Sequence, residues 1–228
     1  MNFDDVFCIK DAGIQYHRSN IGLKNKGGND LFERIVSDIP TGFDLTRPIF
    51  YGKLINRYYM EQSTDEYFNL NYKKVLKSNE SVSFSEVAFN IVPKILWRQT
   101  ASFLRATLDE NKVWFRNTIQ CAWIKEEYVK SISIKSALAI FNSKYIRFLY
   151  NKLVQEAGRV FPQIKITHVK KLPIVIPQLD WQKEVDSLVD KMLHEDYSET
   201  TDNLIDEKVY ELYGLTPEEI ALVEESVK

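Results

Sequence analysis

Apolar and polar positions alternate through the middle of the chain. In KILWRQT, SFLRATL and VWFRNTIQCAWI, between Lys94 and Ile124, Ile, Leu, Val, Phe, Trp and Thr recur at near-period-two spacing. That pattern predicts β-strands. The polar LDENK between the second and third predicts a turn, and so a hairpin with Arg105 and Arg116 on neighbouring strands. Pro93 ahead of the first suits a strand start or an edge. Upstream, RPIFYGKLINRYYM is also strand-like and is punctuated by Gly52. The first 45 residues are the least regular, and Tyr16 to Asp30, mixing Gly, Asn, Ser and cations, reads as a long loop.

After Ser133 the period changes. Ile134, Ala137, Leu138, Phe141, Tyr145, Phe148 and Leu149 recur every 3.6 residues, with Ser133 placed as N-cap and Gly158 and Pro162 ending the segment. QIKITHVKKLPIVIP predicts a short strand, a turn and another strand closed by Pro177. Two amphipathic stripes follow: Trp181, Val185, Leu188, Val189 and Met192, then Leu204, Ile205, Val209, Leu212 and Tyr213. Gly214 fits a helix stop, and Thr216-Pro217-Glu218-Glu219 is a capping box with proline in the first turn. The expected fold class is α+β, a mixed and largely antiparallel sheet with C-terminal helices. Residues 1–177 form the α/β body, loop-rich over 1–45, and residues 178–228 an acidic helical segment.

The 228 residues suit one large domain, which can bury roughly 70–75% of its unfolded surface. No apolar run approaches the ~20 residues of a membrane span, and Met1 to Asp11 lacks the pattern of a signal peptide. Cys8 and Cys121 suggest no disulfide framework, so the expected location is the cytoplasm. The net charge of −2 conceals an asymmetry. Asp180 to Lys228 carries 15 acidic and 4 basic residues, and the remainder carries 26 basic and 17 acidic. Ile134 to Ile176 holds eight cations, Arg147 among them, against the single acid Glu156. Such division points to nucleic acid or to intramolecular pairing.

Catalytic chemistry finds little support. No Pro-Pro and no G-x-G occur, which argues against a methyltransferase within this chain, and no cofactor is expected. His17, His168 and His194 lack metal-ligand spacing, and no serine sits in G-x-S-x-G. Glu110-Asn111-Lys112, with Glu86 upstream, matches the carboxylate-and-lysine arrangement of a metal-dependent nuclease. Its plainer reading is the polar tip of a hairpin. The cations and rings between Pro93 and Ile124 (Arg98, Arg105, Arg116, Lys94, Lys112, Trp97, Trp114, Phe115) mark either a sheet with a solvated face or a surface for a polyanion. Arginine and glutamine can bond bidentately to guanine and adenine, other cations neutralise phosphates, and rings stack on unpaired bases. A basic face paired with its own acidic tail is a further reading.

Several stretches resemble one family, the TaqI-like C-terminal specificity domain of adenine-specific DNA methyltransferases and fused restriction-modification enzymes. Pro93-Lys94-Ile95-Leu96 with Arg98 and Thr100 is similar to its central strand. Ala137 to Lys144, ALAIFNSK, is similar to its "LLAILNSK" helix, Lys171-Leu172-Pro173-Ile174 with Pro177 to the strand that follows, and Ile205 to Thr216 to its closing helix-turn. Phe50 to Tyr58 follows the "I-R-G-R-D-I-K-R-Y" motif loosely, with Leu54 in place of an acid. The resemblance implies a target-recognition domain whose partners are double-stranded DNA and a methyltransferase or endonuclease domain or subunit, with no membrane. The expected DNA-holding residues are Lys53, Arg57, Arg105, Arg116 and Lys165, with Arg98, Gln99 and Thr100 at the reading edge. The alternative is a metal-dependent DNA endonuclease using Glu86, Glu110 and Lys112.

Overall fold

A computed structural model of the chain describes residues 1–18, 29–38, 46–154, 163–195 and 197–227. With elements numbered in chain order, the centre is a four-stranded antiparallel sheet. Its order is β1 (Phe7–Lys10), β12 (Ile119–Ile124), β9 (Lys94–Arg98), β10 (Ala106–Asp109). On β9, Ile95 and Trp97 enter one apolar cluster and Leu96 another; on β12, Ala122 enters the first, Ile119 and Cys121 the second. Successive side chains point to opposite faces, and here both faces are buried.

Helices cover the first face. They are α1 (Phe3–Val6), α4 (Ile134–Asn142), α5 (Lys144–Val154), α6 (Ile166–Val169), α7 (Leu179–His194) and α8 (Glu199–Tyr213), with α9 (Pro217–Ser226) packed on α5. A second sheet, β11 (Trp114–Phe115), β4 (Thr46–Phe50), β7 (Tyr67–Asn69) and β3 (Val36–Ser37), covers the other face with α2 (Asn29–Ile35) and α3 (Glu86–Asn90). Only β11 with β4 is parallel among the described pairs. Two further pairs are β2 (Gln15–Arg18) with β8 (Glu80–Ser83), and the hairpin β5 (Ile55–Asn56) with β6 (Tyr59–Met60). The fold is α+β, with mixed and largely antiparallel sheets.

The helical tail follows its sequence pattern. Gly214 adopts φ +66° after α8, and Thr216 caps α9 in a reciprocal capping box with Glu219. Ser133 caps α4 as expected. The predicted single helix after it is two, because Ser143 is extended; its hydroxyl donates to the Ile140 carbonyl and accepts the Ile146 N–H, ending α4 and starting α5. The Gly158 and Pro162 stops lie outside the described residues, as does most of the loop expected from Tyr16 to Asp30. Within that stretch Tyr16, His17 and Arg18 pair with β8.

Two predicted strand arrangements are corrected. The segment around Ile166 is a helical turn, because Ile164 spends its backbone N–H on Gln99 and the carbonyls of Lys165 and Ile166 accept from residues three and four ahead. β10 and β11 do not form a hairpin pair: β10 joins β9, while β11 joins β4 in the other sheet. Arg105 and Arg116 are therefore not on neighbouring strands. Asp109 divides the chain, accepting the N–H groups of Asn111 (2.8 Å) and Val113 (3.2 Å), and Trp114 and Phe115 turn into a ring cluster with Phe89. Trp97 and Phe115 are fully buried, so neither is a stacking surface.

Lys94 faces Asp109 across β9 and β10, and both side chains are fully buried in an ion pair. Lys94 Nζ also donates to the Ile91 carbonyl at 3.1 Å, so the pair is supported by further hydrogen bonds. In the other cluster Arg18 (2.8 Å) and Arg34 (2.6 Å) converge on buried Glu80. The Arg34 hydrogen bond, aided by the Lys77 N–H and by Arg18, holds the Glu80 carboxyl down to about 2.

Lys94→Met leaves Asp109 charged and buried; a loss of about 3–5 kcal/mol is expected in urea unfolding. Glu80 has its folded pKa below its unfolded value, so its stabilisation is complete above the unfolded value and is lost as pH falls toward about 2. Unfolding midpoints measured from pH 6 to pH 2 should therefore fall less steeply for Glu80→Gln than for the parent.

Candidate nucleic-acid interface

The central sheet delivers the expected reading residues to one end. β9 closes at Arg98, and the chain crosses from Gln99 to Arg105 before entering β10. Arg98 N–H donates to the Arg105 carbonyl (3.4 Å) and Gln99 N–H to the Thr118 carbonyl (2.9 Å). The Gln99 carbonyl accepts from Ile164 N–H at 2.7 Å, and Thr100 bridges to Gln163. The backbone of the reading edge is thus held from two sides, while the side chains of Arg98, Gln99 and Thr100 stay half-buried.

The turn Gly52–Leu54 packs against this edge because residue 52 has no side chain. A Cβ there would lie 2.5 Å from the Thr118 carbonyl oxygen and 3.1 Å from Arg98 Cγ. Gly52 N–H instead donates to Thr118 Oγ1 at 3.0 Å. Lys53, Arg98, Thr100 and Thr118 together line a cavity of about 200 Å³. Lys53 is exposed, its ammonium 5.9 Å from the Tyr51 ring centroid, and neither it nor Arg98 has a carboxylate partner among the described residues.

Arg57 has a different setting. It occupies the two-residue turn of the β5–β6 hairpin with Tyr58, which is fully buried and takes φ +63°. An L-residue pays roughly 1–2 kcal/mol for that conformation; core burial and the bond from Tyr58 N–H to the Ala106 carbonyl (2.8 Å) offset it. The turn directs Arg57 to the acidic tail, 2.7 Å from Asp202 and 3.6 Å from Asp206. Burial pulls the Arg57 pKa down, but Tyr58, Asp206 and Asp202 outweigh it and the net shift is upward. Burial likewise raises the Asp206 pKa, opposed by Arg57 and by the Lys144 N–H that Asp206 accepts at 2.8 Å. Lys135 pairs with Asp190 and Lys144 with Glu224, so the tail neutralises several cations of the body.

Arg105 lies with its guanidinium carbon 4.3 Å from the Phe103 ring centroid, and Arg147 of α5 lies 4.0 Å from the same ring. Arg57, Arg105, Arg147, Phe103, Asn56 and Tyr59 contribute to the wall of a cavity of about 580 Å³. Neither Arg147 nor Phe103 is among the residues expected from sequence; the available signal is an arginine within the acid-poor stretch Ile134–Ile176. Lys165, half-buried at the start of α6, donates its N–H to the Tyr150 hydroxyl at 2.9 Å. Arg116 stands apart in an aromatic box, 4.4 Å from the Tyr16 ring, 5.4 Å from Phe32 and 5.7 Å from Tyr51. Its Nε donates to the Ile14 carbonyl at 3.2 Å.

The nuclease triad does not assemble into a recognisable centre. Glu110 and Lys112 are exposed at the tip after β10, where Lys112 takes φ +57°, and Glu86 is exposed on α3. Among the described residues no group of three His, Cys, Asp or Glu side chains is placed to hold a metal ion.

The model of the TaqI-like C-terminal specificity domain matches residues 47–174, more than half of the chain. In fold the chain is similar to the type IIL restriction-modification enzyme MmeI, whose structure was determined in complex with DNA. The TM-score is 0.52 at 10% identity, over 94% of this chain and 35% of that one. The type IIG restriction endonuclease BpuSI aligns with a TM-score of 0.43 at 13% identity, over 93% of this chain and 32% of that one. The chain thus spans about a third of the length of these enzymes. A search of curated proteins finds no match. On the extent of the family match, the chain belongs to the TaqI-like C-terminal specificity domains.

Proposed function

We propose that this chain is the DNA target-recognition part of a bacterial restriction-modification enzyme, holding double-stranded DNA for an adenine-specific methyltransferase or methyltransferase-endonuclease partner in the cytoplasm. The observation that carries the reading is the convergence of Lys53, Arg98, Gln99, Thr100 and Arg105 at one end of the central sheet. Lys53, Arg98 and Arg105 have no carboxylate partner among the described residues there, and the acidic tail engages other cations instead. Family membership and the DNA-bound MmeI fold support the same reading.

The roles divide by setting. Arg98, Gln99 and Thr100 are the base readers, carried on a backbone too firmly bonded to drift. Lys53 and Arg105 hold phosphates, with Lys165 beside them. Arg57 is a fastener: it ties the β5–β6 turn to α8 and so sets the position of the neighbouring cations. Arg116, enclosed by three rings, braces Tyr51 behind the Gly52 turn. Catalysis is assigned to the partner domain or subunit, in keeping with membership of a specificity-domain family.

Selection from a randomised duplex pool, followed by gel shift over a salt series, tests the proposal. Enrichment of one sequence, bound more weakly as salt rises, is expected; a pool that stays random contradicts it. Arg98→Ala should lose roughly 1–3 kcal/mol of discrimination at one base pair. Lys53→Ala should weaken all sequences alike and reduce the salt slope by about 1. Arg57→Met should accelerate amide exchange in α8, read by mass spectrometry; unchanged α8 exchange would show that Arg57 is no fastener.

A further inference from the structure

The cavity of about 580 Å³ beside Phe103 is lined by a cluster of arginines. Three guanidinium groups approach it. Arg57 is neutralised by Asp202 and Asp206, whereas Arg105 and Arg147 have no carboxylate partner among the described residues. Both lie over the same ring, at 4.3 and 4.0 Å. Glu195 is part of the lining, but it is solvent-exposed and pairs with neither arginine. Arg147 Nε is buried and has no hydrogen-bond partner among the described residues, although an arginine N–H removed from water normally finds an acceptor. Burial, together with the positive charges of Arg57 and Arg105, lowers the Arg147 pKa.

From this we infer that the Phe103 cavity is a seat for one phosphodiester of the DNA backbone, with Arg105 and Arg147 as its two ligands and the Phe103 ring holding both in place. Its volume falls within the roughly 300–1,000 Å³ of ligand cavities. Asn56 and Tyr59 line it as neutral polar groups suited to the ester and sugar oxygens. The seat adjoins the reading edge, since Arg105 accepts the backbone N–H of Arg98. A phosphate fixed there would set the register in which Arg98 meets the bases, the division in which phosphate contacts position and base contacts specify. Arg147 thereby becomes a DNA-positioning residue beyond the DNA-holding set expected from sequence.

This inference rests on the DNA-recognition reading, and its test separates the two. Arg147→Met keeps the aliphatic stem on Phe103 and removes the charge. In gel shifts over a salt series it should bind the selected and a scrambled duplex about tenfold more weakly, with the salt slope reduced by about 1 and the ratio between the duplexes unchanged. Arg105→Met, measured in parallel, should do the same and guards against one variant failing to fold. Unchanged affinity and slope in both variants, with the parent still selecting its sequence, would overturn the phosphate seat and leave the recognition role standing. A second arm follows the Arg105 and Arg147 side-chain Nε–Hε resonances while inorganic pyrophosphate is added to the parent chain. Shifts at both residues support the seat even if no duplex is selected, the outcome that would sink the recognition role alone. Shifts at neither residue overturn the seat.

Discussion

Everything in the molecule is hung on the two-sided burial of β9. Its side chains alternate between cores, Ile95 and Trp97 among the helices and Leu96 among the second sheet, so the strand cannot slip by one residue without reversing both. The fully buried Lys94–Asp109 pair locks the same register at the other end, where a slip would leave two charges unmatched in an apolar interior. A strand fixed in this way presents its last residues at a defined place. Arg98, Gln99 and Thr100 are those residues, and the Gly52 turn and Gln163–Ile164 segment close on them from either side.

Charge is sorted by the same framework. The acidic helices bury apolar stripes against α4 and the central sheet, which brings Asp190, Asp202, Asp206 and Glu224 to Lys135, Arg57 and Lys144. Lys53 and Arg98 at the end of the sheet, and Arg105 and Arg147 at the Phe103 cavity, have no carboxylate partner among the described residues. The net charge of −2 therefore says little about the surface presented to a ligand.

Local patterns in the sequence were faithful where the physics is local. The Ser133 cap, the Gly214 stop, the Thr216 capping box and the tail stripes depend only on residues within a few positions, and all are present except that Leu204 of the second stripe is exposed. The period-two runs of β9, β10 and β12 were legible for the same reason. Pairing was not: nothing in Trp114-Phe115 marks it for β4 rather than β10, because that choice is made by contacts with Phe89, Phe84 and Phe68. The candidate site divides likewise. Cations clustered in sequence were visible, but whether each meets an aspartate, a ring box or an open cavity is decided by the tertiary fold, as for Arg57 with Asp202, more than a hundred residues away. Arg147 carried no motif to set it apart from the other cations of Ile134–Ile176.

The central claim is that DNA lies across the end of the sheet where β9 terminates. Amide exchange of the chain with and without its selected duplex, followed by mass spectrometry, tests this most directly. The account predicts slowed exchange in Gly52–Arg57 and Gln99–Arg105, with the outer turns of α7 and α9 unchanged. Protection confined to the acidic helices, or to the apolar groove between Pro93, Trp123 and Ile132, would contradict it.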